Sequence, residues 1–188
     1  MTQVEFLKHS VDTLDRLEIE YMVVGSYACM AYGESRLTQD IDIVVDLTMK
    51  AVGEFCAAYP SPDFYISEPA VRDAVRTRFQ FNVLHPSSLN KIDYILPRID
   101  EWGAARMNRR QRVRLLPGQE VDVASPEDVI LGKLWYHSMG GSDKHLRDIA
   151  GILRISGDAV DRADIAAWAE KLGYSEIWNE ILKKQDGG

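Results

Sequence analysis

Asp40 and Asp42 stand one residue apart in Asp40-Ile41-Asp42-Ile43-Val44-Val45, a run otherwise made of branched aliphatic residues. Side chains alternate between the faces of a strand, so the two carboxylates share one face and Ile41 and Ile43 the other. Like charges on one face repel and lose hydration on burial, so such a pair calls for a counter-charge. Magnesium supplies one: it takes one or two protein carboxylates and fills its octahedral shell with water and phosphate oxygens. Alone, Asp-x-Asp is equally compatible with an exposed structural pair at a strand end. Gly25-Ser26, separated from Asp40 by thirteen residues, adds a second element. Glycine admits close backbone approach, a following helix presents unpaired amides, and the serine hydroxyl can donate to a phosphate oxygen. An ordinary strand-to-helix turn is the alternative there. Asp93, in Lys91-Ile92-Asp93-Tyr94-Ile95, is a third carboxylate, placed either to help deprotonate a hydroxyl or as a surface acid on a strand.

These side chains need a sheet to hold them. Val4, Leu7, Val11, Leu14 and Leu17 recur at helical spacing, and Thr2 with Glu5 forms a capping box, so an amphipathic helix opens the fold. Tyr21 to Val24 reads as a buried strand ending at Gly25-Ser26, Tyr27 to Tyr32 as a helix stopped by Gly33, and Asp40 to Asp46 as the acidic strand. Thr48 to Tyr59 fits a capped helix, Pro60-Ser61-Pro62 a turn, and Phe79 to Leu84 and Lys91 to Leu96 two strands joined by His85-Pro86-Ser87-Ser88. Arg112 to Leu116 and Glu120 to Val123 flank Pro117-Gly118 as a hairpin. Ser125-Pro126-Glu127-Asp128 then combines an N-cap, a first-turn proline and an acid, and leads into helices near 126–139, 143–155, 162–172 and 175–184. The expectation is an α/β (α+β) core over residues 1–124 with a mixed sheet flanked by helices, followed by a helical region over 125–188 packed on it.

The ordered set resembles the nucleotidyltransferase motif of the DNA polymerase β superfamily: Gly-Ser after a strand, Asp40-Ile41-Asp42-Ile43, then an aspartate, Asp93, on a later strand. Val23-Val24-Gly25-Ser26-Tyr27-Ala28 through Arg36-Leu37-Thr38-Gln39-Asp40-Ile41-Asp42 is similar to the branch holding minimal nucleotidyltransferases and AbiEii-like toxins. Pro126 to Leu134, with Lys133 inside it, and Lys144-His145-Leu146-Arg147-Asp148-Ile149 resemble later motifs of that branch, so the likeness spans roughly residues 20–155. It implies a polymerase-β-like core in which Asp40, Asp42 and Asp93 hold two Mg2+ ions, with Mn2+ an acceptable substitute. It also implies that Gly25, Ser26, Arg36, Thr38 and Asp148 contact the nucleotide, and that Lys133 takes part in catalysis. The implied reaction transfers a nucleoside monophosphate from a nucleoside triphosphate to a hydroxyl on RNA or protein, releasing pyrophosphate, in a toxin paired with an antitoxin protein. An antibiotic-modifying transferase shares the acidic triad, and a degenerate nucleotide-binding protein shares the fold. Arg36, on the loop into the acidic strand, and Lys133 are cations suited to phosphate.

Read without the resemblance, Lys133 shares a helical face with Val129 and Tyr136, opposite Ile130, Leu134 and Trp135, and fits a solvated lysine. Arg147 and Asp148 likewise oppose Leu146, Ile149, Ala150 and Leu153 as a charged outer face. Arg106, Arg109, Arg110, Arg112 and Arg114 suit either an RNA-guiding groove or a solvated edge. His9, His85, His137 and His145 lack zinc spacing, and Cys29 and Cys56 read as small core residues that fit a reducing compartment. With 188 residues, 46% of them hydrophobic, the chain can bury a core, and a net charge of -7 argues against a general nucleic-acid coat. No apolar run approaches the roughly 20 residues that cross a bilayer and no leader opens the chain, so a cytoplasmic location is expected.

Overall fold

Helix α1 (Gln3–Arg16) starts at the predicted capping box: Thr2 Oγ1 accepts from Glu5 N at 3.2 Å and Glu5 Oε2 accepts from Thr2 N at 2.7 Å. Its buried stripe is Phe6, Leu7, Ser10, Val11, Thr13 and Leu14. That stripe is rotated from the predicted row, which leaves Val4 exposed and Leu17 half-buried. The computed structural model describes residues 1–33, 40–140 and 142–186.

Strand β1 (Tyr21–Val24) runs into helix α2 (Gly25–Tyr32), and β2 (Asp40–Val45) is the acidic strand. Next come α3 (Val52–Ala57), α4 (Glu68–Thr77), β3 (Gln80–His85), β4 (Asn90–Ile95), α5 (Glu101–Asn108), β5 (Gln111–Leu116) and β6 (Gln119–Val123). Helices α6 (Pro126–Gly140), α7 (Asp143–Ser156), α8 (Arg162–Leu172) and α9 (Ser175–Asp186) complete the order. Among the described residues the strands form one mixed sheet in the order β3-β4-β2-β1-β6-β5. β2 pairs with β1 antiparallel and with β4 parallel, and β1 pairs with β6 parallel through Val23 and Val123. Val44 and Val45 are both buried, so the sheet is covered on both faces beyond the acidic end of β2. No helix among the described residues is long and apolar enough to cross a membrane.

Some expected elements differ. The predicted helix over Thr48 to Tyr59 contracts to α3, with Ala51 rather than a capping side chain at its start, because residues 48–51 form a turn. Helix α4 was not predicted; it is capped by Ser67 and buries only Val71 and Ala74, too few apolar positions to register as a stripe. Helix α5, capped by Asp100, was not predicted either and takes in Arg106, the first residue of the arginine strip. It also breaks up the arginine strip. Arg106 is buried with its guanidinium 4.6 Å from the Trp102 ring centre. Arg109 pairs with Asp128 and Asp164, Arg110 with Glu20 and Asp122, and Arg112 with Asp15 and Asp122. Arg106, Arg109 and Arg110 of the expected basic groove are therefore engaged within the fold, while Arg112 is exposed but paired with acids.

Asp128 ties α6 to α5. Its carboxylate accepts from Trp102 Nε1 at 2.9 Å, Arg109 Nε at 3.1 Å and Ser125 Oγ at 3.1 Å, while Ser125 Oγ accepts from Asp128 N at 3.2 Å. This fixes the N-terminal turn of α6 and hence the direction in which Lys133 points.

Candidate active site

Three strand registers bring the carboxylates together. Asp42 lies opposite Val24 of β1 on one side and opposite Asp93 of β4 on the other, while Asp40 lies opposite Lys91. Val24 is followed by Gly25, which turns into α2 with φ +64°. A Cβ there would sit 2.1 Å from Asp42 Oδ2 and 3.0 Å from its Cγ, so only glycine lets the acid lie against the turn. Gly25→Ala is expected to destabilise the protein by about 1–3 kcal/mol through positive φ and the clash. The denaturation midpoint checks this, and a midpoint equal to that of the wild type would show that Asp42 is not held against the turn.

Asp40 is exposed and Asp93 mostly buried. The Asp42 carboxyl is pushed up to about 6, first by burial and then by the charges of Asp93 and Asp40, against the opposing pull of Lys133 and Lys91. Lys91 Nζ lies 2.8 Å from Asp93 Oδ2 and 3.9 Å from Asp40 Oδ1. Its ammonium is shifted upward mainly by the hydrogen bond to Asp93. The donor set consists of hard carboxylate oxygens whose mutual repulsion raises the Asp42 carboxyl despite the nearby lysines, which suits a divalent cation such as Mg2+. Among the described residues, no three acidic, histidine or cysteine side chains converge tightly enough to hold a metal as they stand. Lys91 lies between two of the three acids.

Lys133 and Asp148 are not outer-face residues. Lys133 is 4% exposed, and its Nζ lies 2.7 Å from Asp148 Oδ2, whose side chain is 7% exposed. α6 packs against α2, α7 and α8, so the face that sequence periodicity assigns to solvent is internal. Lys133 and Gly25 line the same narrow cavity of about 40 Å³, together with Tyr136 and Arg106. Ser26 lies in the first turn of α2. Arg36 and Thr38 lie outside the described residues. A wider hollow of about 490 Å³ lies away from the acids, beside Asp46, just beyond the opposite end of β2.

Two site residues escaped the sequence reading. Lys91 is one; its signal is an i, i+2 placement with Asp93 on one strand face. Tyr136 is the other, one turn after Lys133. Its phenol is shifted upward by burial first and then by Asp42, with a smaller push from Asp93, which places it in the field of the acids. Its ring stacks on His145 at 5.8 Å between centroids. The His145 ring is depressed to about 4 by burial, with Lys133 adding to the effect.

No protein-family model matches the sequence, and no curated protein matches it. Solved structures do match in fold. The chain superposes with a TM-score of 0.62 on ANT(2'')-Ia crystallised with adenylyl-2''-tobramycin, at 16% identity over 96% of this chain and 98% of that one. It superposes at 0.53 on the lincomycin-bound lincosamide antibiotic adenylyltransferase LnuA, at 13% identity over 82% and 98%. A nucleotidyltransferase-like protein from Paracoccidioides brasiliensis gives 0.54, at 20% identity over 96% and 92%. At these identities the likeness is one of fold: the mixed sheet with flanking helices and a helical C-terminal region is the nucleotidyltransferase fold expected from the sequence motifs.

Proposed function

We propose that the protein transfers a nucleoside monophosphate from a nucleoside triphosphate to a hydroxyl acceptor, releasing pyrophosphate. The observation that supports this is the row of carboxylates on adjacent strands, Asp40, Asp42 and Asp93, set against a glycine turn at a helix start within a nucleotidyltransferase fold. Asp40, Asp42 and Asp93 would hold Mg2+ or Mn2+, and two such ions supply charge neutralisation at the attacking and leaving oxygens of an in-line displacement. The α2 amides and Ser26 bind phosphate oxygens, with Arg36 and Thr38 proposed to assist, and Lys133, which lines a cavity with Gly25 and is paired with Asp148, is proposed to add a cation beside them. Asp93 accepts the acceptor's hydroxyl proton as its oxygen bonds to the α-phosphorus and the bond to the bridging oxygen of the pyrophosphate breaks.

The proposed acceptor is a small hydroxylated molecule of the antibiotic type. Two observations favour it: Arg106, Arg109 and Arg110 of the strip that would have guided RNA are engaged within the fold, and two of the structural neighbours, ANT(2'')-Ia and LnuA, were solved with adenylyl-2''-tobramycin and lincomycin. The competing reading, an AbiEii-like toxin with an antitoxin partner, rests on the likeness of residues 23–42 and of the Lys133 and Asp148 segments to that branch. The test incubates the protein with each labelled nucleoside triphosphate, Mg2+, an aminoglycoside and lincosamide panel, and cell extract. Label in the drug fraction is expected. Label in RNA or protein would transfer the proposal to the toxin reading. No transfer, together with no metal-dependent heat on adding any nucleotide, would reduce the protein to a degenerate relative.

A further inference from the structure

Lys91 stands where a cation would. Parallel pairing sets it directly opposite Asp40, and the period of the strand puts it on the same face as Asp93, so its ammonium reaches both carboxylates, at 3.9 Å and 2.8 Å. A half-exposed lysine pair of this kind adds little to stability. Its chemical consequence is larger. Two positive charges cannot share the same carboxylate oxygens without strong repulsion, so an ion entering between Asp40 and Asp93 must evict the ammonium.

We propose that Lys91 is a built-in, displaceable counter-ion that competes with the divalent metal for Asp40 and Asp93. The inference rests on the reading of these acids as metal ligands. With Lys91 seated, the acids are held near one another and metal alone binds weakly. When metal arrives with a nucleoside triphosphate, the phosphate oxygens contribute ligands that a bare ion lacks, and the displaced ammonium gains a new anionic neighbour. Metal and nucleotide should therefore bind with positive coupling, and that coupling should depend on Lys91.

The test measures Mn2+ affinity by calorimetry without nucleotide. Lys91→Met keeps the apolar stem and removes the charge, and it is expected to bind Mn2+ about five- to tenfold more tightly than wild type. Lys91→Arg keeps the competitor and is expected to stay near wild type. A general field effect is separated from displacement by the Lys91 ε-methylene signal in ¹³C-lysine-labelled wild-type protein titrated with Mg2+, assigned from the Lys91→Arg variant. The signal should move in step with metal saturation. Equal affinity in wild type and Lys91→Met, or an unmoved Lys91 signal at saturation, would overturn the competition while leaving the metal site intact. Absence of metal binding in both proteins would overturn the metal-site reading, and the inference with it. Melting curves confirm that each variant is folded.

Discussion

Asp42→Asn is expected to lower nucleotidyl transfer about a thousandfold, the scale of losing one strong electrostatic contact to a transition state, while raising the melting temperature of the metal-free protein at pH 7. The second half follows from the sign of the titration. The folded-state carboxyl is pushed up to about 6 by burial and by Asp93 and Asp40, above the ordinary value of 3.8. The folded chain therefore binds this proton more tightly than the unfolded chain, and stability falls as pH rises from about 4 through about 6. Two pK units correspond to about 3 kcal/mol as an upper bound for the ionised group at neutral pH. An amide of the same size removes that penalty. In chelator-treated buffer, wild type should gain stability between pH 7 and pH 5 from this group, and Asp42→Asn should lack that gain. Asp12, on α1 and paired with Lys8 at 2.9 Å, is the contrasting case: Asp12→Asn should lose a little stability. Denaturation midpoints at both pH values decide the matter, and clear destabilisation by Asp42→Asn would assign Asp42 a structural role.

Lys133→Met should cost about 3–5 kcal/mol, because it removes from the buried Asp148 carboxylate the ammonium 2.7 Å away. The loss should reach the site as well, since Lys133 is one of the charges that hold the Asp42 carboxyl down. The double variant Lys133→Met/Asp148→Leu separates the two roles. Apolar side chains of similar volume often replace a buried ion pair without net loss, so most of the stability should return. Transfer should not. If the double variant recovers both stability and activity, the pair is scaffolding alone and the phosphate role of Lys133 is wrong.

Signals confined to a few neighbouring residues were legible in the sequence. The Thr2–Glu5 cap, the alternation through Asp40 to Ile43, the Pro117-Gly118 hairpin turn and the Ser125-Pro126 helix start all appear where local chemistry puts them. What failed were statements about surroundings. The solvated faces read for Lys133 and Asp148 are internal because α7 folds back on α6 after a short connection, which no helical period discloses. The arginine strip looked free because its acidic partners, Glu20, Asp15, Asp128 and Asp164, sit on other elements. The link from Lys91 to Asp93 is visible in the sequence, whereas the link to Asp40 exists only once β4 lies parallel to β2.

That strip also has a bearing on the protein's behaviour in concentrated solution. Among the described residues β5 is the last strand on its side of the sheet, and its exposed Gln111, Arg112 and Arg114 are interspersed with Val113 and the apolar Leu115-Leu116. An edge strand offers unpaired amides and carbonyls to any other extended chain, and an apolar one would template fibrillar association. Arginines spaced along β5 make the approach of a second identical edge repulsive, because each copy would set cation against cation. Arg112 and Arg114, two of the five residues that look in the sequence like a handle for RNA, thus sit where charge disfavours self-association along an edge that, among the described residues, pairs with no further strand.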